Sequence, residues 1–428
     1  MKRQFRSFPI SNFNTTKQQV LCWAHQSGTC VFLDNHQYHL PHHQYECLAA
    51  VGTYASLNMN RGCSLDALQS FLDLHQDWCF GHLGYELQEE TEAVHTDKTN
   101  LAGMPDLFFF IPKILIRLSN EEIQIGSLSD NHEVIWQEIR SVVDDYSNFR
   151  SLQIEERVSR GEYISTIEKI KKHILRGDCY ELNYCMEFFA ANALIAPLQL
   201  YHQLTSFSPN PFAAYYRNND LYLMCASPER YLSKRGRYIF SQPIKGTKRR
   251  DLEDGAHDEL LKQELKTNNK ERSENVMVVD LVRNDLSRVC EEGSVKVEEL
   301  FGVYTFPHLH HMISTISGSV REGTKFTDLI RATFPMGSMT GAPKKSVLEL
   351  IDRYEPTARG IFSGALGYIT PDGDFDFNVV IRSIVYNQSK KYLSYHVGSG
   401  ITGYADPEKE YEECIIKAAA IKNVLNRQ

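Results

Sequence analysis

A chain of 428 residues with 42% hydrophobic and 11% aromatic residues has enough apolar surface for a large buried core, which excludes a disordered tail protein. Lysine and arginine number 46 against 54 acidic residues, a net charge of −8, so no domain-wide basic excess favours nucleic acid or anionic lipid. The longest apolar run, Leu107 to Leu118, is interrupted by Pro112, Lys113 and Arg117 and falls short of the roughly 18 residues a membrane span requires. The N-terminus MKRQFRSFPISNFN lacks an apolar stretch and a cleavage site of secretory type, so a cytoplasmic location is expected.

In chain order, short β-like runs at Val31–Leu33, Leu107–Ile111 and Ile114–Leu118 accompany a helical stretch at Leu65–His75, and this first part holds none of the strong motifs. From Asp130 to Gly177, charge and a 3.6-residue apolar spacing predict helix. The clearest part is Tyr163–Leu175, where Ile167, Ile170 and Ile174 share a face, and Gly177 reads as a C-cap. The aromatic-rich segment Cys179–Phe189 follows, then a helix at Leu198–Thr205 and strands at Phe212–Tyr216, Leu221–Ala226 and Tyr231–Ser233. Helices are predicted over Asn268–Leu286 and Lys344–Tyr354, strands over Gly360–Ile369, Asn378–Asn387 and Lys391–Val397, and an amphipathic helix over Pro407–Leu425. Consecutive strands near the C-terminus indicate an α+β chain, with antiparallel sheets packed against helices rather than a doubly wound parallel sheet. With no repeat and no long linker, a single large fold is expected.

The ten cysteines are scattered without a C-x-x-C pair and read as reduced thiols. Histidines crowd at His36–His43 and His308–His311, which invites zinc, but neither cluster has a clean i, i+4 helical spacing beside a carboxylate or cysteine. Glu271 and Glu274 stand i, i+3 on one predicted helix, and Glu410 and Glu413 stand i, i+3 on another. Each pair projects from one face, so two faces brought together would offer hard oxygens suited to Mg²⁺, whereas apart they are solvated helix surfaces.

Lys245 lies in SQPIKGTKRR, where Pro243 and Gly246 suggest a turn. A surface charge is the ordinary reading; a catalytic amine would have to be neutral, starting from a pKa of about 10.4 that burial can depress by as much as ~3–5 units. Glu229, in ASPERYL, sits at a strand end where an acid or base can act. Gly398, Ser399, Gly400 and Gly403 are expected between a strand and a helix, where main-chain N–H groups can approach a carboxylate. The rest of a βαβ unit is missing, which argues against NAD. In FPMGSMTGAPKKS only three residues separate Gly337 from Gly341, which excludes a Walker loop, while Lys344 at a helix start still favours an anion.

Taken together and in order, SPERY, QPIKGT, ENVMVVDLVRNDL, TFPMGSMTGAPK and VGSGITGYADPEKEYEE resemble the chorismate-utilising enzymes, the family of anthranilate, aminodeoxychorismate, isochorismate and salicylate synthases. The resemblance runs from about Gly161 to Ile421, and FGHLGYEL near Phe80 extends it towards the N-terminus. It implies a chorismate-binding catalytic region over residues 160–426, with residues 1–125 a variable subregion of the same fold. PIKGT is the form of the branch that aminates chorismate at C4; the anthranilate branch has PIAGT. The resemblance implies that Lys245 attacks ring C2 as a nucleophile, that Glu229 protonates the departing 4-hydroxyl, and that Glu274 and Glu413 bind Mg²⁺ with Glu271 and Glu410 behind them. It also implies that Arg382 and the amides near Gly398 and Gly400 hold the enolpyruvyl carboxylate, and that His311 and Thr247 line the pocket.

The sequence departs from the family at Glu181, where the aminating enzymes usually carry glutamine and the water-activating ones lysine. A carboxylate there could accept a proton from ammonia or Lys245, or could pair with Lys245 and keep it charged. The leucine-rich tryptophan-inhibition motif of anthranilate synthases has no obvious match. No cysteine lies in a G-x-C-x-G elbow, so ammonia is expected from a separate glutamine amidotransferase subunit. No pyridoxal-phosphate lyase domain is present to release p-aminobenzoate, the folate precursor. Competing readings are an anthranilate synthase component I and a catalytically silent chorismate-binding subunit.

Overall fold

The computed structural model describes residues 3–40, 42–143 and 152–426. Among them are twenty strands: β1 (Gln4–Pro9), β2 (Thr29–Asp34), β3 (Cys47–Met59), β4 (Cys79–Leu83), β5 (Leu107–Leu118), β6 (Glu122–Ser127), β7 (Glu155–Glu156), β8 (Glu181–Ala190), β9 (Phe212–Asn218), β10 (Leu221–Ser227), β11 (Arg230–Arg235), β12 (Tyr238–Gln242), β13 (Ile244–Arg249), β14 (Lys296–Thr305), β15 (Leu309–Ser319), β16 (Gly341–Ala342), β17 (Ala365–Ile369), β18 (Phe375–Val379), β19 (Ser383–Asn387) and β20 (Tyr392–Thr402). The helices are α1 (Phe13–His25), α2 (Ser64–Leu74), α3 (Gln88–Thr91), α4 (His132–Ser141), α5 (Arg160–Arg176), α6 (Pro197–Phe207), α7 (Gly255–Thr267), α8 (Asn269–Ser287), α9 (Phe326–Thr333), α10 (Lys344–Tyr354) and α11 (Pro407–Leu425). Every strand pairing between them is antiparallel, as the α+β reading requires.

The sheet forks at β5. One arm runs β5–β3–β2–β9–β10–β19–β20–β8. The other runs β5–β4–β17–β18–β11–β12–β15–β13. Helices α1, α4, α5, α6, α10 and α11 pack on the first arm around a core that includes Tyr163, Ile167, Leu182, Met186, Leu348 and Ile421; α2, α8 and α9 cover the second around Phe109, Leu232, Val278, Ile316 and Phe377. The apolar face of α5 follows its predicted spacing, with Ile167 and Ile170 buried and Gly177 capping at φ 90°. No helix among the described residues is long and apolar enough to cross a membrane.

Several predicted elements change form. The helical stretch expected from Asp130 to Gly177 is two helices, α4 and α5, with the two-residue β7 between them; residues 144–151 lie outside the described chain. The two runs on either side of Pro112 are one strand, β5, because the register with β3 shifts there and the bulge absorbs the missing N–H. Gly360–Ile369 is a strand only from Ala365, and helix α7 was not anticipated. The predicted strand Asn378–Asn387 is broken into β18 and β19, and Arg382 stands at the break with φ 49°.

The chain crosses between the two arms at Pro228–Glu229, which joins β10 to β11, and again at Val380–Arg382, which joins β18 to β19. The two crossings are hydrogen-bonded to each other: Val379 N–H donates to Glu229 O at 3.0 Å and Ala226 N–H to Arg382 O at 3.1 Å. Glu229, expected at a strand end, and Arg382, expected within a strand, therefore share one corner, at the base of the cleft between the arms.

Candidate active site

Lys245 enters the cleft from the second arm. It occupies a bulge rather than the predicted turn, since β13 pairs Ile244 with Ile313 and Thr247 with His311, leaving one residue extra on the β13 side. Gly246 supplies the left-handed conformation, φ 92°, and a Cβ there would lie 3.0 Å from Glu271 Oε2. The first arm supplies Glu181 at the start of β8, whose Oε1 accepts from Lys245 Nζ at 2.5 Å, both side chains being largely buried. Burial acts to lower the Lys245 amine, but the carboxylates of Glu181, Glu274 and Glu229 outweigh it and hold it above the ordinary lysine value. The resting amine is thus an ammonium, the reverse of what burial alone would produce. Glu181 Oε2 is buried without a hydrogen-bond partner.

Gly398 and Gly400 belong to β20 itself, a correction to the expected loop between strand and helix, because β8 extends the pairing to Thr402. β19 covers only Tyr392–Ser394, so farther along that edge of β20 is open, and Gly398 O accepts there from Lys417 Nζ at 2.8 Å. The side-chain face of Gly400 lies against the ion pair: a Cβ would stand 2.6 Å from Glu181 Oε1 and 3.2 Å from Lys245 Nζ. Only a residue without a side chain lets this strand approach the lysine.

Glu229 is buried at the corner, and burial raises its carboxyl to about 7 even though the Ser338 hydroxyl, the Ile244 N–H, Lys245 and Arg382 all favour its ionised form. Arg382 is lowered to about 10 by burial, against the opposing pull of Glu229 and Tyr38. Its Nη2 stands 3.5 Å from His311 Nε2, and His311 Nδ1 is 3.0 Å from Thr247 Oγ1. A guanidinium only donates, so the imidazole accepts on Nε2 and carries its proton on Nδ1, donated to Thr247. Burial and Arg382 keep His311 neutral. The alternation of β15 turns its neighbour His310 to the other face, where its Nε2 lies 2.9 Å from Asp258 Oδ1.

Helices α8 and α11 bring the four glutamates close enough for their charges to act on one another, with Lys270 between the two helices. Lys270 Nζ lies 3.9 Å from Glu274 Oε1 and 3.6 Å from Glu410 Oε1, and Glu413 Oε1 is 2.8 Å from Lys417 Nζ. Burial raises Glu271 and Glu410, and raises Glu274 to about 7 with Glu181 and Glu271 adding to it. Burial also pushes Glu413 up, but Lys417 outweighs it and leaves the carboxyl lowered. Glu274 Oε1 is buried without a hydrogen-bond partner. Mutually repelling carboxylates, one with a bare buried oxygen, fit a hard divalent cation such as Mg²⁺.

Three residues of the cleft were not singled out by sequence reasoning. Ser338 sits beside Glu229. Tyr38 stacks on Phe306 at 5.1 Å, and Phe306 meets the ring of His311 edge-on at 4.9 Å. Their motifs mark a loop and a histidine-rich run, with no pattern that announces a pocket wall. Lys344, expected to favour an anion, instead lies buried with Nζ 2.6 Å from Asp285 Oδ2, and is a correction to that expectation.

A sheet fork whose cleft gathers a buried lysine, a protonatable glutamate, an arginine and a carboxylate cage defines a chorismate-utilising enzyme, and residues 22–423 match the family described as chorismate binding enzyme. The chain belongs to that family. Among its relatives, aminodeoxychorismate synthase component 1 of Bacillus subtilis (strain 168) is 37% identical over 263 residues, 61% of this chain and 55% of that protein, so the match spans about half the relative's length. An anthranilate synthase component I-like protein of Synechocystis is 31% identical over 383 residues, 87% of this chain and 78% of its own. The solved structure of anthranilate synthase component I from Streptococcus pneumoniae superimposes with a TM-score of 0.79 at 22% identity, covering 90% of this chain and 93% of that one, a likeness of fold.

Proposed function

We propose that the protein aminates chorismate at C4, forming 4-amino-4-deoxychorismate, with Mg²⁺ bound by Glu274 and Glu413 and supported by Glu271 and Glu410. The observation that carries the reading is the placement of Lys245 on its bulge, 2.5 Å from Glu181, in a cleft it shares with Glu229. The metal, when bound, would neutralise the carboxylate cage and anchor the ring carboxylate of the substrate. Arg382, oriented by its corner, would take the enolpyruvyl carboxylate, with the open edge of β20 at Gly398 and Gly400 beside it and His311 and Thr247 as the wall.

Glu181 accepts the proton from the Lys245 ammonium. The freed amine forms the Nζ–C2 bond as the ring double bond shifts and the C4–O bond breaks, and Glu229 delivers its proton to the leaving hydroxyl so that water departs. Ammonia then forms the C4–N bond, the double bond shifts back, and the C2–Nζ bond breaks to release Lys245 as the amine; the new C4 ammonium gives a proton back to Glu229, and Glu181 returns its proton to Lys245. Ammonia would come from a separate glutamine amidotransferase subunit, in keeping with the component 1 designation of the Bacillus relative.

The test is mass and chromatographic analysis of the product made from chorismate, Mg²⁺ and an ammonium salt. The 4-amino compound supports the reading. The 2-amino compound or anthranilate would replace it with the activity named for the Synechocystis relative, and binding of chorismate without turnover would leave a silent binding subunit.

A further inference from the structure

Outside the cleft, the histidine-rich run that the proposed chemistry does not use folds into a side-chain cluster of its own. Asp34 at the end of β2 and Cys47 at the start of β3 face each other across the paired strands, and Glu46 precedes Cys47. The ligand atoms of Asp34, Glu46 and Cys47 all lie within 4.8 Å of one another. Cys47 Sγ is 3.5 Å from Asp34 Oδ1, His36 Nε2 is 3.5 Å from Asp34 Oδ2, and His43 Nε2 is 3.6 Å from Glu46 Oε2. Asp34 and Cys47 are almost wholly buried, and His36 Nε2 is buried without a hydrogen-bond partner.

We propose that Asp34, His36, Glu46 and Cys47 form a binding site for a transition-metal dication of the zinc class, with His43 beside it. Metal–oxygen, metal–nitrogen and metal–sulfur bonds of about 2.0–2.3 Å place neighbouring ligand atoms of a tetrahedron roughly 3.3–3.8 Å apart; the Cys47–Asp34 and His36–Asp34 contacts, each 3.5 Å, fall in that range, and Glu46 stands within 4.8 Å of Asp34 and Cys47. The ligand types are those zinc selects, a thiolate and an imidazole with carboxylates, where Mg²⁺ would take oxygens alone. Supporting groups are in place. Lys17 Nζ donates to Asp34 Oδ2 at 2.9 Å, His36 N–H to Asp34 Oδ1 at 2.8 Å, Gln37 N–H to Glu46 Oε1 at 2.6 Å and Asn35 Nδ2 to Glu46 Oε2 at 3.1 Å, so both carboxylates are oriented. The charges balance: two carboxylates and a thiolate offset the dication and Lys17. Metal binding removes the thiol proton to solvent, and with it the contact that Cys47 makes to Asp34 Oδ1, which frees that oxygen to ligate. The ligands close the loop between His36 and Cys47, and that loop carries Tyr38 to the wall of the cleft, so the metal would act as a staple behind the pocket.

The experiment uses the full chain, stripped with a chelator and titrated with Co²⁺ alone. A stoichiometric thiolate-to-cobalt charge-transfer band is expected, displaced by Zn²⁺, absent in Cys47→Ser, unchanged in Cys63→Ser at the exposed cysteine, and shifted to at least about tenfold higher Co²⁺ in His36→Gln. The His36 variant alters a partly exposed loop residue, so it stays informative if the buried Cys47 variant does not fold. Absence of the band in the wild-type chain, or His36→Gln binding Co²⁺ as tightly as wild type, would overturn the proposal. The carboxylate cage of α8 and α11 has no thiol among its four glutamates and cannot produce this signal.

Discussion

The protein holds two buried lysine–carboxylate pairs of nearly equal length with opposite characters. Lys344 Nζ lies 2.6 Å from Asp285 Oδ2 and 3.4 Å from Thr333 O, with both charged side chains about 5% exposed, and it ties α10 to α8 and to the end of α9. Lys245 Nζ lies 2.5 Å from Glu181, but it stands on a bulge, faces a strand stripped to glycine at Gly400, and its partner keeps a bare oxygen. The first pair joins three helices through two hydrogen bonds from the buried ammonium. The second is left with unused hydrogen-bonding capacity in a cleft, as a group that must exchange protons and form a bond requires.

Removing each lysine should separate the two most sharply. For Lys245→Ala we expect 4-amination to fall by several orders of magnitude, residual amination to shift towards C2, and the covalent adduct formed by wild type with chorismate alone to vanish from the peptide containing Pro243–Thr247, read by mass spectrometry. An alanine variant that makes the 4-amino product at the wild-type rate would reduce Lys245 to a pocket charge. For Lys344→Ala the loss should instead be of stability, ~3–5 kcal/mol in denaturant unfolding, because Asp285 is left buried and unpaired. The double variant Lys344→Met, Asp285→Leu should recover most of it.

The carboxylate cage extends the comparison to a group that needs a third partner. Glu274→Ala, or Glu413→Ala, should abolish most turnover and raise the Mg²⁺ concentration for half-maximal rate, and a chelator should do the same to wild type. Full activity in the chelated protein would remove the metal from the reading.

How far the sequence announces these sites depends on whether the chemistry is local or tertiary. The i, i+3 pairs Glu271/Glu274 and Glu410/Glu413 were legible because one helix turn determines which residues share a face. Glu229 was legible as a strand end. Contacts of long range were harder: the Glu181–Lys245 pair, across 64 residues, was reached only as one of two alternatives raised by the family resemblance, and the Asp285–Lys344 pair, across 59, was not reached, which is why Lys344 at a proline-led helix start read as an anion site. Arg382 was read within a strand because apolar alternation continues through Val379, Val380 and Ile381, and periodicity carries no signal for one left-handed residue at a corner. The glycines of β20 misled for a related reason. They resemble a loop in composition, yet they are glycine because another strand's side chains occupy the space of a Cβ.

That space gives a smaller test. Gly400→Ala should displace the Lys245–Glu181 pair, since its Cβ would overlap Glu181 Oε1 at 2.6 Å. We expect about a tenfold to hundredfold loss in the rate of adduct formation, the scale of a misplaced reacting group, with chorismate binding by calorimetry much less affected. Wild-type kinetics in the alanine variant would show that the pair has freedom to move.

The mildest effect concerns protons at the corner. Burial raises Glu229 from an ordinary carboxyl value of 4.5 to about 7. As the acid that protonates the leaving hydroxyl, it acts only while protonated, so adduct formation measured without ammonia should decline above about pH 7, and Glu229→Gln should lack that decline on a much lower rate. The same shift predicts a stability slope. Between pH 4.5 and 7 the folded protein keeps this proton while the unfolded chain has lost it, so the folded state binds more protons and stability falls as pH rises through that window. Glu229→Gln cannot ionise and should remove this component: relative to wild type it should be more stable at pH 8 than at pH 5, read as a change in the difference between their unfolding midpoints. A difference that stays constant with pH would mean that Glu229 ionises at its ordinary value, and that the corner between β10 and β11 is wetter than its packing implies.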